Sequence, residues 1–293
     1  MTQSPFAAET ANRTCPLPGG RKLGFAEGGD PKGAPVFYFH GFPGSRLEAT
    51  LLPASGVRLI GVDRPGYGLS TARPYRTLAD WPGDIAALAD HLGLKRFGVV
   101  GVSGGGPYAA SVAHGLGSRV NALALVCGLG PPEAPGMTFG GDSRIATALR
   151  FTGSRVFLAA LGRQIMLSDR ALAALRDWRM RRMPRAGADA AFRDGPMAQL
   201  MVANWREGLK RSSLGMAADA RIYGQPWHFA LKDIATPTGI WHGRADTIVP
   251  ISIGEYYAAH VPSAAAHFTE NDGHFSIVIN SLDAITSFLK SRA

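Results

Sequence analysis

Ser103 stands at the centre of Gly101-Val102-Ser103-Gly104-Gly105, a G-x-S-x-G pentapeptide. A short apolar run, Phe97 to Val102, precedes it, and a helical pattern over residues 104–116 follows. A serine placed there would stand on a sharp strand-to-helix turn, with its hydroxyl raised above the strand ends. Small neighbours suit such a turn, because larger side chains would strike the adjoining strand or helix. The N–H groups opening the following helix would favour developing negative charge. A glycine-rich structural turn has the same composition, so the pentapeptide needs partners. A hydroxyl is a poor nucleophile until an oriented imidazole takes its proton. His274, in Asn271-Asp272-Gly273-His274-Phe275, is the candidate base. Asp246, in the stretch from Trp241 to Pro250, is the candidate acid, and Asp272 is a competing carboxylate. His40-Gly41-Phe42-Pro43-Gly44 follows another apolar run. The Phe42 N–H, paired with that of Gly104, is the candidate donor pair for an oxyanion.

These residues work together only if separate elements bring them to one place. Val36–Phe39, Val57–Val62, Phe97–Val102, Val120–Val126 and Thr238–Trp241 are short runs apolar on both faces, as in buried parallel strands, and Ala266–Thr269 reads as a further strand. Residues 78–92, 104–116, 251–261 and 275–290 are helical patterns between or after them. In the first, Ile85, Leu88, Ala89 and Leu92 share one stripe and Gly93 supplies a stop. Strand–helix alternation predicts a parallel sheet with helices on both faces. Right-handed crossovers then align the strand C-termini along one edge, where Ser103, Asp246 and His274 would meet.

Residues 131–235 break the alternation. They open on a turn-rich stretch and continue as helical segments without clear strands. We read them as a helical lid inserted into a core made of residues 1–130 and 236–293. All methionines except the first lie between residues 137 and 216. Methionine suits adaptable apolar surfaces. Met137, Met166, Trp178, Met201 and Trp205 are therefore candidates for a substrate pocket, with packing inside the lid as the alternative. The basic run of Arg176, Arg179, Arg181, Arg182 and Arg185 is either a solvated helix face or a means of attracting an anionic substrate.

The chain has 293 residues, of which 46% are hydrophobic, enough for a core without staples. Its two cysteines, Cys15 and Cys127, have no metal-ligand spacing and fit a reduced compartment. No signal-peptide pattern opens the chain and no apolar run spans a membrane, so a cytoplasmic protein without stable membrane insertion is expected. The formal net charge is +9. Residues 131–235 hold 16 Lys and Arg against 9 Asp and Glu, and the rest 15 against 13. That concentration, with no accompanying motif, argues against nucleic acid as a partner.

The motifs HGFPG (40–44), DRPGYGLS (63–70), GVSGGG (101–106), HGRADTIVP (242–250) and DGH (272–274) occur in one order. In motif and order the chain resembles the α/β-hydrolase superfamily, within the group whose helical cap follows the sixth strand. The likeness covers residues 17–130 and 227–293. It implies a mostly parallel twisted sheet with helices on both faces, and nucleophile, acid and base in the order Ser103, Asp246, His274. It makes DRPGYGLS a structural loop in which Asp63 and Arg64 hold neighbours. Epoxide hydrolases and haloalkane dehalogenases carry Asp where Ser103 stands, which argues against both. Proline iminopeptidases usually carry Trp-Gly after the nucleophile, where this chain has Gly104-Gly105-Gly106. Many small-molecule members have Met-Gly-Gly there, so glycine at 104 should leave room beside the nucleophile. The expected activity is cleavage of a small or medium apolar ester, thioester or lactone through an acyl-enzyme, with a small-molecule substrate and neither cofactor nor metal. Carbon–carbon bond hydrolysis, an aminopeptidase-like activity, or a receptor-like binding protein with low turnover are the alternatives. The oligomeric state is left open.

Overall fold

The computed structural model describes residues 11–137, 177, 187–193 and 196–292. The pocket candidates Met166 and Trp178, and the whole basic run of Arg176 to Arg185, lie outside the described residues. Eight strands form one sheet: β1 (Arg13–Leu17), β2 (Arg21–Gly29), β3 (Ala34–Phe39), β4 (Val57–Val62), β5 (Phe97–Val102), β6 (Val120–Val126), β7 (Thr238–Gly243) and β8 (Ala264–Thr269). Numbered over the described residues, the helices are α1 (Trp81–His91), α2 (Gly106–Gly115), α3 (Pro196–Leu209), α4 (Leu214–Tyr223), α5 (Ile251–His260), α6 (Ser276–Asn280) and α7 (Leu282–Lys290).

The strand order is β1-β2-β4-β3-β5-β6-β7-β8. From β3 to β8 all neighbours are parallel, while β1 and β2 are antiparallel additions at one edge. The apolar-run reading missed those two strands. β1 (RTCPL) is covered on one face only, and β2 (RKLGFAEGG) is buried at Leu23–Ala26 but open at both ends, so charges and glycines interrupt the apolar pattern there. The helical pattern over 275–290 divides at Ser281, whose φ of −99° and ψ of 4° leave the helical region.

Alternate residues of each strand feed separate halves of the core. Phe37 and Phe39 pack with Trp81, Ile85, Leu88 and Val112 on one face. Val36 and Tyr38 pack with Leu59, Val100, Ile285 and Leu289 on the other. Burying the strands on both faces explains their unbroken apolar character. The chain passes from β3 to β4 on one side, then returns to β5 on the other side of β3. At such a switch point the loops after two neighbouring strands diverge and leave a crevice above the sheet edge. The loop after β3 carries Phe42 and the turn after β5 carries Ser103.

Among the described residues no helix is long and apolar enough to cross a membrane. Cys15 and Cys127 are both free and buried.

Candidate active site

Ser103 has a φ of 53°, the left-handed region that a non-glycine residue rarely occupies. The crowding around it shows how this turn is held. A Cβ on Gly101 would lie 2.5 Å from the Gly105 carbonyl oxygen and 2.6 Å from Ala109 Cβ. Gly105 backs directly against the Phe39 carbonyl. Glycine at both positions lets β5, α2 and β3 close around the serine.

Across the sheet edge, His274 Nε2 lies 3.0 Å from Ser103 Oγ. His274 Nδ1 lies 2.7 Å from Asp246 Oδ2. Asp246 Oδ1 accepts from the backbone N–H groups of Ile248 and Val249 at 2.8 and 2.9 Å. All three side chains are buried, with relative exposures of 7%, 3% and 8% for Ser103, His274 and Asp246. Burial alone would raise the Asp246 carboxyl. The His274 and His242 imidazoles beside it overcome that and hold it well below the usual carboxylate range. Asp246 therefore stays ionised, as a group that orients an imidazole must. The competing carboxylate, Asp272, points elsewhere and accepts from Asn280 Nδ2 at 2.6 Å.

The donor candidates Phe42 and Gly104 are adjacent. A Cβ on Gly104 would lie 3.2 Å from the Phe42 nitrogen. The same construction corrects the expectation that Gly104 leaves room. The added atom would meet Tyr223 Oη at 2.6 Å and Phe42 Cβ at 2.7 Å. Tyr223 donates to the Gly104 carbonyl at 2.8 Å, so α4 fills the space that the missing side chain vacates.

Tyr223 belongs to a buried network under this loop pair. Asp219, with no exposed surface, accepts from Arg64 Nε at 2.8 Å and Tyr67 Oη at 3.0 Å, and also from Arg76 and Tyr108. Arg64 in turn donates to the carbonyls of His40 and Gly41, the latter at 3.1 Å. His40 is fully buried, and burial followed by the Arg64 charge pushes its pKa well down, so it is a neutral prop for this loop. Asp63 is bound by Arg46 and by the Leu69 N–H.

Three features were invisible to motif reading. Asp189, between β6 and β7 in the chain, accepts from the backbone N–H groups of His274, Phe275 and Ser276 at 2.7, 3.1 and 2.8 Å. Glu48 accepts from Tyr38 Oη at 2.8 Å, Asn204 Nδ2 at 3.0 Å and the Gly41 N–H at 3.2 Å. Cys127, at the end of β6, has a φ of 40° and donates from Sγ to the His274 carbonyl at 3.3 Å. Among the described residues, Cys127, Asp246 and His274 bring ligand-type atoms within 4.8 Å of one another. Burial, reinforced by Asp246, pushes the Cys127 thiol well up, so it stays protonated and suits this hydrogen bond better than a metal.

A cavity opens over Ser103 and His274, walled by Phe192, Met197, Met201, Trp205 and Phe275, with Glu48 as its acidic member. Of the pocket candidates, Met201 and Trp205 line it. Met137 is elsewhere: it packs against the core face that carries Ile253 and Tyr257.

A model of the α/β hydrolase fold family matches residues 34–281, and the chain belongs to that family. It is 28% identical to AB hydrolase superfamily protein YisY of Bacillus subtilis over 83% of this chain and 85% of that protein. It is 31% identical to a non-heme haloperoxidase of Rhodococcus erythropolis over 75% of this chain and 77% of that protein. Among solved structures, an esterase from Exiguobacterium antarcticum superposes with a TM-score of 0.68 at 22% identity, covering 96% of this chain and 98% of that one. At that identity the likeness is one of fold.

Proposed function

We propose that the protein is a serine hydrolase that cleaves apolar carboxylic esters, thioesters or lactones through an acyl-enzyme. The contact chain Ser103–His274–Asp246, at 3.0 and 2.7 Å, carries this reading. His274 takes the Ser103 proton as Oγ attacks the acyl carbon. The N–H groups of Phe42 and Gly104 receive the oxyanion. His274 then gives its proton to the leaving group and next activates the water that releases the acid. Asp246 keeps the imidazole oriented and stabilises its charged form. The family membership and the esterase-like fold neighbours support a hydrolase. The free buried thiols support a cytoplasmic setting.

In this reading residues 131–235 form a lid over the core, and α3 contributes the apolar wall of the acyl pocket. Hydrolysis of p-nitrophenyl esters from acetyl to decanoyl tests it. kcat/KM should rise with acyl length while methylenes are buried, by up to about fourfold each at ~0.8 kcal/mol per methylene, and then fall when the cavity is full. Met201→Glu should lower the longer-chain rates far more than the acetyl rate. A flat length profile would remove the apolar-pocket assignment.

Asp189 then acts as a positioning residue, since it grips the backbone of the base. Asp189→Ala should lower kcat about tenfold with little change in KM, because His274 loses its register against Ser103. A change in thermal stability alone, with kcat intact, would reduce Asp189 to a structural clamp.

The Rhodococcus relative favours one second reading, halide oxidation by peroxide. Halide-dependent bromination with hydrogen peroxide, measured beside ester hydrolysis, separates the two.

A further inference from the structure

Glu48 sits where the proposed hydrolysis has no use for a charge. It lines the cavity that holds Ser103 and His274, among otherwise largely apolar walls. It remains partly accessible while its neighbours Leu47 and Ala49 are buried, and that access faces the cavity. The missing side chain of Gly41 leaves the path between carboxylate and nucleophile open. A Cβ there would lie 3.7 Å from Ser103 Cβ and 3.9 Å from both Glu48 carboxylate oxygens.

The bonds that Glu48 makes leave it incomplete. Tyr38, the Gly41 N–H and Asn204 supply neutral donors. Among the described residues no lysine or arginine forms an ion pair with it. Tyr38 and the Gly41 N–H both favour Oε1, while Oε2 has Asn204 and a longer approach from Gly41 at 3.3 Å. A carboxylate offers about four lone-pair sites, and three donors (Tyr38, Asn204 and a Gly41 N–H shared between both oxygens) occupy them, so it keeps room for one more donor. Burial raises the Glu48 carboxyl, and these hydrogen bonds, with the more distant Arg64 charge, oppose the rise. A carboxylate in a largely apolar cavity with no salt-bridge partner among the described residues is costly to keep charged, and a cation entering the cavity would relieve that cost.

We propose that Glu48 forms a cation subsite in the substrate cavity and takes the protonated primary amine of a substrate whose remaining body is apolar. The apolar walls hold an alkyl chain while the carboxylate holds the ammonium, in a low-dielectric setting that strengthens the pair. A substrate carboxylate would be repelled from the same position. The proposal depends on this cavity being the substrate site, as the hydrolase reading holds.

The test is an NMR titration at pH 8 with n-pentylammonium, n-pentanol and pentanoate, on the native chain and on Glu48→Gln. The native protein should bind n-pentylammonium at least about tenfold tighter than n-pentanol, and pentanoate weakest. In Glu48→Gln the ammonium-to-alcohol ratio should fall to about one. Glu48 also braces the Gly41 loop, so the ratio within each protein, and not absolute affinity, is the readout. Tyr38→Phe gives a second arm, since it keeps the ring in the core and frees Oε1. It should tighten n-pentylammonium binding and leave n-pentanol unchanged. If the native protein does not prefer the ammonium, or Glu48→Gln keeps the preference, the subsite is refuted. If Glu48→Gln does not fold, an unchanged ammonium affinity in Tyr38→Phe refutes it and a tighter one supports it. Binding is measured without turnover, so loss of the hydrolase reading, through Ser103-independent activity, would be seen separately.

Discussion

Ser103→Ala is expected to lower kcat/KM for p-nitrophenyl esters by at least about 10⁴-fold while leaving the fold intact. Members of a nucleophile–base unit act together, and loss of the nucleophile alone removes nearly all that the unit contributes, up to about 10⁶-fold. His274 Nε2, 3.0 Å from Oγ in the native chain, would face a methyl group and have no proton to take. Residual rate would come from the Phe42 and Gly104 donors and from binding. The fold should survive because Ser103 is small and its neighbours, Gly101, Val102, Gly104 and Gly105, set the turn. The φ of 53° suits alanine no better than serine. Steady-state kinetics, circular dichroism and labelling by a fluorophosphonate probe check the three parts. The native chain should take one label at Ser103 and the variant none. A variant within tenfold of native activity would place the chemistry elsewhere and remove the hydrolase mechanism proposed here.

The second large effect concerns stability. Asp219→Ala is expected to destabilise the protein by about 3–5 kcal/mol, because removing one partner leaves buried charge uncompensated. Asp219 is the anion facing Arg64 and Arg76, all three buried. The same carboxylate accepts from Tyr67 and Tyr108, so their hydroxyl groups would lose a partner too. The loss should extend to activity. Asp219 is on α4, whose Tyr223 donates to the Gly104 carbonyl, and Arg64 holds the carbonyls of His40 and Gly41. Both loops that carry Phe42 and Gly104, the proposed oxyanion donors, rest on this network. Denaturant unfolding gives the stability change, and kcat at a temperature where the variant is folded gives the other. Loss of less than about 1 kcal/mol would mean that water or rearranged tyrosines compensate the arginines, and that the network is not the strut described.

The parts of the site that could be read in the chain are those with local signatures. The serine turn needs small residues at fixed offsets, so Gly101, Gly104 and Gly105 announce Ser103. Buried parallel strands need apolar side chains on both faces, so the five runs from Val36 to Trp241 could be recognised and the loops around them searched for Asp246 and His274; β8, largely exposed at the sheet edge, had a weaker signature. The antiparallel strands β1 and β2 could not be recognised, because β1 at the sheet edge and the open ends of β2 tolerate charge and glycine. Gly104 shows the limit of local reading. A missing side chain suggested space, and Tyr223, over a hundred residues away, fills it.

Asp189, Glu48 and Asp219 had no signature at all. An acid that caps a backbone, an acid in an apolar cavity and an acid between two arginines look alike in a string of residues. Their differences arise from partners 85, 156 and 155 positions distant, brought together by packing. The sequence by itself determined the parallel core of the sheet, the chain order of Ser103, Asp246 and His274, and the turn that bears the serine, since backbone stereochemistry and two-faced burial constrain residue types locally. Only the tertiary structure decided which carboxylate meets His274, what fills the space beside Gly104 and where a charge faces the cavity. Contact and desolvation depend on neighbours that chain order does not specify.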